Sequence, residues 1–213
     1  MQKQKKTQPP DAEIPPTKEH ETSNWEKILL QELSTFMETA PAISEVHKTD
    51  HVLRVWARCR QIGQTMNADQ ETLCAAALLH DLGRHYGLEI HGQKSAELAE
   101  PILKRLDFPP QKIPAVLDAI AKHDYTTPNT ERTTPESKIL YDADKMDAFG
   151  AVGIQRHILF IQQGRMRLEE VLPALKKRYD GLSLKESKKV AKKDYENIVD
   201  HFHRLVEDMD QTE

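Results

Sequence analysis

The chain has 213 residues, a length that suits one helical domain with added segments better than two domains. Only 8 glycines and 6% aromatic residues are present, which disfavours a β-sandwich or a β-barrel. The formal net charge is −4, from 30 basic and 34 acidic residues, so the composition lacks the basic excess expected of a nucleic-acid-binding protein.

The cysteines and the apolar segments indicate the compartment. Cys59 and Cys74 are too few for a disulfide framework, and isolated cysteines inside helical patterns are typical of small buried residues in a reducing compartment. The basic stretch 1–6 is not followed by the apolar segment of a secretory signal. No apolar run approaches the ~20 residues needed to cross a bilayer. We therefore expect a cytoplasmic protein without a membrane partner.

The first segment of the chain differs in composition from the rest. Residues 1–22 are polar and proline-rich, and such a segment cannot offset its ordering entropy by burying apolar side chains. We expect a disordered tail over residues 1–22 and one helical domain over residues 23–213. No internal repeat is visible.

From Trp25 onward, apolar residues recur every three or four positions, which is the period of amphipathic helices. Strand-like alternation is absent, so the sequence predicts an all-α fold. Asp69 is placed to cap the third helix, and Ala191 to Met209 form an amphipathic C-terminal helix that should pack on the core. The predicted helices cover about residues 25–40, 50–66, 70–81, 92–106, 108–123, 136–163 and 191–209.

The placement of histidine and aspartate is the most informative feature of the sequence. The apolar stretch Ala75–Leu79 should be buried, yet it leads directly into His80 and Asp81. Two polar groups at the inner end of a packed helix need partners, because an unpaired buried charge is very costly. A metal ion shared with other histidine and aspartate side chains meets that need.

Further candidate ligands occupy similar positions on other helices. Asp144 lies in an apolar setting, His51 begins the second helix, and His91 and His123 fall at helix ends. Helical proteins build metal sites from ligands that several helices deliver into one cleft. The sequence therefore predicts a metal centre between helix ends.

Three short motifs carry a family resemblance. The runs are His51-Val52-Leu53-Arg54-Val55, then Ala76-Ala77-Leu78-Leu79-His80-Asp81, then Asp142-Ala143-Asp144-Lys145-Met146-Asp147. Together they resemble the H…HD…D pattern of the HD superfamily of metal-dependent phosphohydrolases, over about residues 45–160. The segment 148–154 is similar to a stand-alone bacterial branch that includes nucleotide pyrophosphohydrolases. The resemblance implies an HD-domain helical bundle.

The resemblance also implies roles for individual residues. It makes His51, His80, Asp81 and Asp144 the four metal ligands, with Asp142 as a second candidate for the last position. Superfamily members with two metal ions place extra histidines at the positions of His91 and His123, with Asp81 bridging the ions. A supporting role or a substrate contact stays open for both histidines. Four shared ligands must lie within ~8 Å of one another, given the ~2 Å bonds such ligands form.

Imidazole and carboxylate ligands without thiolate suit Mn²⁺, Fe²⁺, Co²⁺, Ni²⁺ or Zn²⁺. Such an ion activates water for attack on phosphorus, and positive side chains neutralise the remaining phosphate charge. We expect Arg84 and Lys145 to take that role. Asp147 can orient a ligand or bind a substrate hydroxyl, or have only a structural role, and Arg54 is expected in a structural ion pair.

The resemblance implies hydrolysis of a phosphomonoester or phosphoanhydride bond in a small phosphorylated metabolite, with a nucleotide favoured. Two other functions stay open: a two-iron oxygenase of the same superfamily, and a catalytically silent nucleotide-binding module. The C-terminal helix offers a surface for a homodimer. His47, His85 and His157 are expected at the surface or in supporting positions.

Overall fold

The computed structural model describes residues 24–39, 49–87, 91–124 and 131–210, and every regular element in these ranges is helical. The all-α prediction is therefore confirmed, whereas the tail predicted for residues 1–22 lies outside the described residues. The α-helices are α1 (Asn24–Thr39), α2 (Thr49–Met66), α3 (Gln70–Leu79), α4 (Gly92–Arg105), α5 (Ile113–Ala121), α6 (Pro135–Met146), α7 (Gly150–Gln162), α8 (Leu168–Asp180) and α9 (Lys185–Asp210). A 3₁₀ helix, Leu82–Tyr86, lies between α3 and α4.

Helix α3 is the centre of the molecule. It packs against α1, α2, α5 and α6, and every residue from Thr72 to Leu79 is buried. A helix that is apolar on all sides is stable only when other helices surround it, and the small side chains Ala75 to Ala77 let those neighbours approach closely. The C-terminal end of α3 therefore delivers His80 and Asp81 to the interior.

The beginning of α3 follows the sequence prediction. The Asp69 side chain accepts a hydrogen bond of 2.7 Å from the Thr72 backbone N–H, which is the expected N-cap interaction. The cap starts the helix at Gln70, so its ten residues end where the buried polar pair begins. None of the helices in the described ranges is long and apolar enough to cross a bilayer.

The continuous helix predicted over residues 136–163 is wrong, because the chain turns between α6 and α7. Gly150 has a positive φ of 67°, which a residue without a Cβ adopts readily. A Cβ on Gly153 would clash with the Ala148 carbonyl oxygen, so the turn also needs glycine there. The turn places Asp147 at the C-terminal end of α6, facing α2.

Helices α7, α8 and α9 form a second group beside the core. Helix α9 packs against α7 and α8 and buries Ala191, Ile198 and Phe202, so the predicted packing of the C-terminal helix is confirmed. The sequence analysis missed α8, which contains Pro173. Val171 and Leu175, four residues apart and fully buried, are the periodic signal that could have revealed it.

Candidate metal centre

Three helix ends bring the four expected ligands together. His51 lies in the first turn of α2, His80 and Asp81 directly follow α3, and Asp144 lies in the last turn of α6. His51 Nε2 is 3.3 Å from Asp144 Oδ1, and His80 Nε2 is 4.0 Å from the same oxygen. Both distances lie well within the ~8 Å that a shared cation requires.

Asp81 connects these residues to the two remaining histidines. Its Oδ2 is 3.5 Å from His51 Nε2, and its Oδ1 is 3.5 Å from His80 Nε2. On the other side, Oδ1 is 2.8 Å from His91 Nε2 and 3.6 Å from His123 Nε2. Two groups compact enough for a cation therefore share Asp81, and the protein has a buried His/Asp cluster able to bind metal ions.

All four imidazoles are oriented in the same way. Each Nδ1 lies within hydrogen-bond distance of an acceptor, which turns Nε2 toward the cluster and leaves it as the atom that can bind a cation. The acceptors are Asp147 Oδ2 at 2.8 Å from His51, the Ala77 carbonyl at 2.8 Å from His80, Asp124 Oδ2 at 3.1 Å from His91 and the Ile120 carbonyl at 2.6 Å from His123.

The environment of His80 indicates whether the cluster fits a metal ion. Its side chain is fully buried, and its Nε2 has no hydrogen-bond partner. Burial lowers the pKa of His80 to about 4, so the ring is neutral near pH 7 and Nε2 carries a lone pair. A buried acceptor without a partner is costly, and coordination of a cation removes that cost. The donor set therefore fits a divalent ion.

Three other members of the cluster, His51, Asp81 and Asp144, are charged. Burial opposes protonation of His51, but hydrogen bonds to Asp144 and Asp147 outweigh it and raise the pKa of His51 to about 9. Burial also opposes ionisation of Asp81 and Asp144, yet neighbouring cations hold the pKa of both carboxyls well below the usual range. Both carboxylates are thus ionised, and a cation must displace the proton of His51.

Asp147 supports His51 from behind. Its fully buried carboxylate accepts hydrogen bonds from His51 Nδ1 and from three arginines, Arg54, Arg58 and Arg156. Of the roles predicted for Asp147, the geometry therefore favours orientation of a proposed ligand, His51. Arg54 forms the ion pair expected from the sequence.

The two side chains expected to bind phosphate lie beside the carboxylates of the cluster. Arg84 Nε is 3.1 Å from Asp81 Oδ1, and this side chain is 27% exposed. Lys145 Nζ is 2.7 Å from Asp144 Oδ2, and its side chain is 8% exposed. Both positive charges therefore lie where a phosphate bound at the cluster would need neutralisation.

The structure argues against Asp142 as a ligand. Its oxygens accept hydrogen bonds from the backbone N–H groups of Ser183, at 2.7 Å, and Leu184, at 2.9 Å, just before α9. Residues two apart on a helix point in different directions, so Asp142 and Asp144 cannot both face the cluster. The Asp142 carboxylate therefore caps the start of α9 instead of taking the ligand or supporting role predicted for it.

Asp124 is a supporting residue that the sequence analysis missed. Its Oδ2 accepts hydrogen bonds from the backbone N–H groups of His91, at 2.6 Å, and Gly92, at 2.9 Å, and it lies 3.1 Å from His91 Nδ1. One carboxylate thus caps α4 and orients the His91 ring. Its position directly after His123 is the sequence feature from which a supporting role could have been predicted.

His85 and His157 are not part of the cluster. His85 packs its ring edge-on against Phe36. His157 is buried, and its Nδ1 lies 2.7 Å from the Gly153 carbonyl. His47 lies outside the described residues.

Comparison with known proteins agrees with this fold. Residues 49–148 match the HD domain family. The resemblance to the HD superfamily that the three sequence motifs predict is therefore confirmed over these residues. No curated protein matches the chain significantly.

Solved structures of the same fold include three bacterial proteins. One is a predicted HD superfamily hydrolase from an uncultured Thermotogales bacterium, with 24% identity, a TM-score of 0.65 and coverage of 86% of this chain and 92% of that one. Another is an HD-superfamily hydrolase from Bacillus thuringiensis, with 21% identity, a TM-score of 0.70 and coverage of 87% and 96%. The third is Bacillus subtilis YpgQ, solved in complex with ADP, with 23% identity, a TM-score of 0.67 and coverage of 84% and 97%.

Proposed function

We propose that this protein is a metal-dependent phosphohydrolase that acts on a small phosphorylated metabolite, with a nucleotide as the favoured substrate. The observation that carries the proposal is the buried cluster in which the Nε2 atoms of four histidines surround Asp81. His51, His80, Asp81 and Asp144 are the proposed ligands of one divalent ion. Asp81, His91 and His123 are the proposed ligands of a second.

The side chains around the cluster have complementary roles in this proposal. A divalent ion, when bound, acts as a Lewis acid that activates water and polarises a phosphoryl oxygen. Asp147 and Asp124 hold the His51 and His91 rings in the ligating orientation. Arg84 and Lys145 neutralise the phosphate charge. Because the ligands are nitrogen and oxygen atoms without thiolate, Mn²⁺, Fe²⁺, Co²⁺, Ni²⁺ and Zn²⁺ are the candidate ions.

Two observations support a nucleotide substrate and a cytoplasmic location. YpgQ shares the fold of this chain and was solved with ADP, so a protein of this architecture accommodates an adenine nucleotide. Cys59 and Cys74 are both buried and free, as is usual in a reducing compartment.

An alternative enzyme class also has an observation in its favour. Asp81 lies between two histidine pairs, which is the arrangement that the two-iron oxygenases of the superfamily require. Redox-active iron in the purified protein together with oxygen consumption would favour that class. Tight nucleotide binding without turnover of any substrate would instead favour a silent binding module.

Metal analysis of the purified protein, followed by a phosphate-release screen, tests the proposal. The screen covers nucleotides and sugar phosphates, each with Mn²⁺, Mg²⁺, Co²⁺ and Fe²⁺. We expect turnover that depends on the metal and is abolished in the double variant His80→Ala/Asp81→Ala. His203→Ala, an exposed histidine on α9, is the matched control and should retain activity. Undiminished turnover in the double variant would refute the site.

A further inference from the structure

Three arginines converge on the single carboxylate of Asp147. Arg54 contacts both of its oxygens, with Nε 2.7 Å from Oδ1 and an Nη atom 3.0 Å from Oδ2. Arg58 donates one hydrogen bond of 2.9 Å to Oδ1, and Arg156 donates one of 2.7 Å to Oδ2. One negative charge thus faces three positive charges.

The ion pair with Asp147 is complete for Arg54 and incomplete for the other two arginines. The bidentate contact of Arg54 is the geometry that matches a guanidinium to a carboxylate. Arg58 and Arg156 each give the Asp147 carboxylate a single hydrogen bond, and Arg156 adds a longer one, of 3.4 Å, to the Asp147 backbone carbonyl. Neither arginine forms an ion pair with another carboxylate in the described part of the chain. Burial lowers the pKa of Arg156 despite the attraction of Asp147 and Asp144, so its charge is under-compensated.

The surplus charge lies next to the metal centre. His51, Arg54 and Arg58 are three and four residues apart, so they lie along one face of α2 that begins at the centre. Arg156 reaches the same carboxylate from α7. The side chains of Arg58 and Arg156 are each 17% exposed, so a ligand from solvent can reach them. A chain of contacts through the Asp147 carboxylate and the His51 ring connects both arginines to the cluster.

Holding Asp147 and His51 in place does not explain all three arginines. Asp147 needs one bidentate partner, and Arg54 supplies it. Two further guanidinium groups at one carboxylate repel each other and lose hydration, so an additional anion would stabilise them. The ligand that fits is compact, multiply charged and rich in acceptor oxygens, as a phosphate group is.

We propose that Arg58 and Arg156 bind the terminal phosphate of an oligophosphate chain whose scissile phosphate lies at the metal centre. The position of the scissile phosphate rests on the proposed function, whereas the anion site itself does not. A ligand that reaches both sites has to pass around the His51 ring and the Asp147 carboxylate, so it needs at least two linked phosphate groups. The substrate class is therefore a nucleoside diphosphate or triphosphate, or an inorganic oligophosphate, in preference to a monophosphate.

Titration calorimetry with inorganic tripolyphosphate tests the site on the full chain, first treated with chelator and then at saturating Mn²⁺. We expect Arg58→Gln and Arg156→Gln each to weaken binding at least about tenfold, the effect of losing a charged hydrogen bond. Arg58→Lys should retain most of the affinity. Arg60→Gln, an exposed arginine of the same helix, should bind as the unsubstituted protein does. Unchanged affinity in both glutamine variants would overturn the proposal.

A second measurement on the unsubstituted protein does not depend on the folding of any variant. Phenylglyoxal labelling, read by mass spectrometry, should slow at Arg58 and Arg156 when tripolyphosphate is added, while labelling of Arg60 stays constant. Equal labelling with and without tripolyphosphate would contradict the site. Repeating the titration with dATP shows whether the nucleoside contributes to recognition. Equal losses of affinity for dATP and for tripolyphosphate in the glutamine variants mean that the phosphate chain alone is recognised. A loss confined to dATP would overturn the proposal.

These experiments distinguish a failure of the proposed arginine site from a failure of the proposed function. If no substrate releases phosphate, tripolyphosphate binding to the chelator-treated chain still decides whether the arginine site exists. If phosphate release occurs but the glutamine variants bind tripolyphosphate normally, the hydrolase proposal stands and the arginine site is excluded.

Discussion

At the scale of single residues, the chemistry of the cluster depends on which atom of each side chain is bound by its neighbours. Every histidine of the cluster has an acceptor at Nδ1, so Nε2 is the atom presented to a cation. Two of these acceptors are carboxylates distant in the chain, Asp147 and Asp124, and the other two are backbone carbonyls one turn earlier. Orientation is thus set before any ion binds, and binding needs little rearrangement.

The protonation of His51 leads to a pH prediction. In the metal-free protein its pKa is raised to about 9, so it is protonated at neutral pH. This raised pKa stabilises the metal-free fold below about pH 6.5, and that stabilisation is lost as the pH rises through about 9. A cation must displace the proton, so we expect metal affinity to increase from pH 6 to about 9.

Calorimetry in two buffers of different ionisation enthalpy measures this effect, since metal binding at neutral pH should release a proton to the buffer. Release should decline toward zero above about pH 9, where His51 is already neutral. Affinity that is constant over this range would contradict the placement of His51 among the ligands.

Arg84 leads to a second prediction at the same scale. Its guanidinium contacts Asp81 but also reaches solvent, so it is placed to bind a phosphate at the cluster. We expect Arg84→Ala to raise KM for phosphate substrates by about 10-fold to 100-fold, the effect of losing a charged hydrogen bond. Metal content measured by mass spectrometry should be unchanged. Loss of metal from this variant would instead make Arg84 a support for Asp81.

At the scale of secondary-structure elements, the C-terminal half of α6 supplies both a proposed ligand and a helix cap. Asp144 faces the cluster, while Asp142 accepts two backbone N–H groups at the start of α9. The turn after Asp147 then separates α6 from α7. One helix end therefore joins the site to the second group of helices.

Substitutions at these two aspartates should have opposite effects. We expect Asp142→Ala to lower the free energy of unfolding by about 0.5–2 kcal/mol, since two backbone N–H groups just before α9 lose their acceptor, and to leave metal content unchanged. Asp144→Ala should lose metal instead. Thermal denaturation and metal analysis of both variants measure the two effects. Metal loss in Asp142→Ala with normal metal in Asp144→Ala would reverse the assignment.

At the scale of the whole molecule, the proposed metal centre lies where α2, α3 and α6 meet, next to the α4–α5 pair. Ligands from so many elements couple ion binding to the stability of the complete fold. Removal of the ion should also expose the repulsion between Asp81 and Asp144, both of which are ionised.

We therefore expect chelation to lower the melting temperature. A ligand present at about 100 times its Kd stabilises the folded state by about 2.7 kcal/mol, which corresponds to roughly 5–10 °C for a chain of this size. Differential scanning calorimetry with and without EDTA measures the shift. The His80→Ala/Asp81→Ala variant is the control and should show none. An equal shift in that variant would place the stabilising ion elsewhere.

The sequence by itself determined the class of fold and the candidate ligands. Helices with one apolar face show the 3.6-residue period directly, and the Asp69 cap is a local interaction. His80 and Asp81 stood out because a polar pair at the end of an apolar helix requires an explanation. These features depend on neighbours within a few residues along the chain.

Only the tertiary structure decided which distant groups meet. Asp142 and Asp144 have the same chemistry two residues apart, and the packing of α6 against α2 and α9 separates their roles. The contacts of Asp147 with Arg58 and Arg156, like that of Asp124 with His91, join different elements and leave no periodic signal. Local periodicity shows which helix face is buried. Contacts between helices depend on how those faces pack against each other, and that packing cannot be predicted from the periodicity of a single sequence.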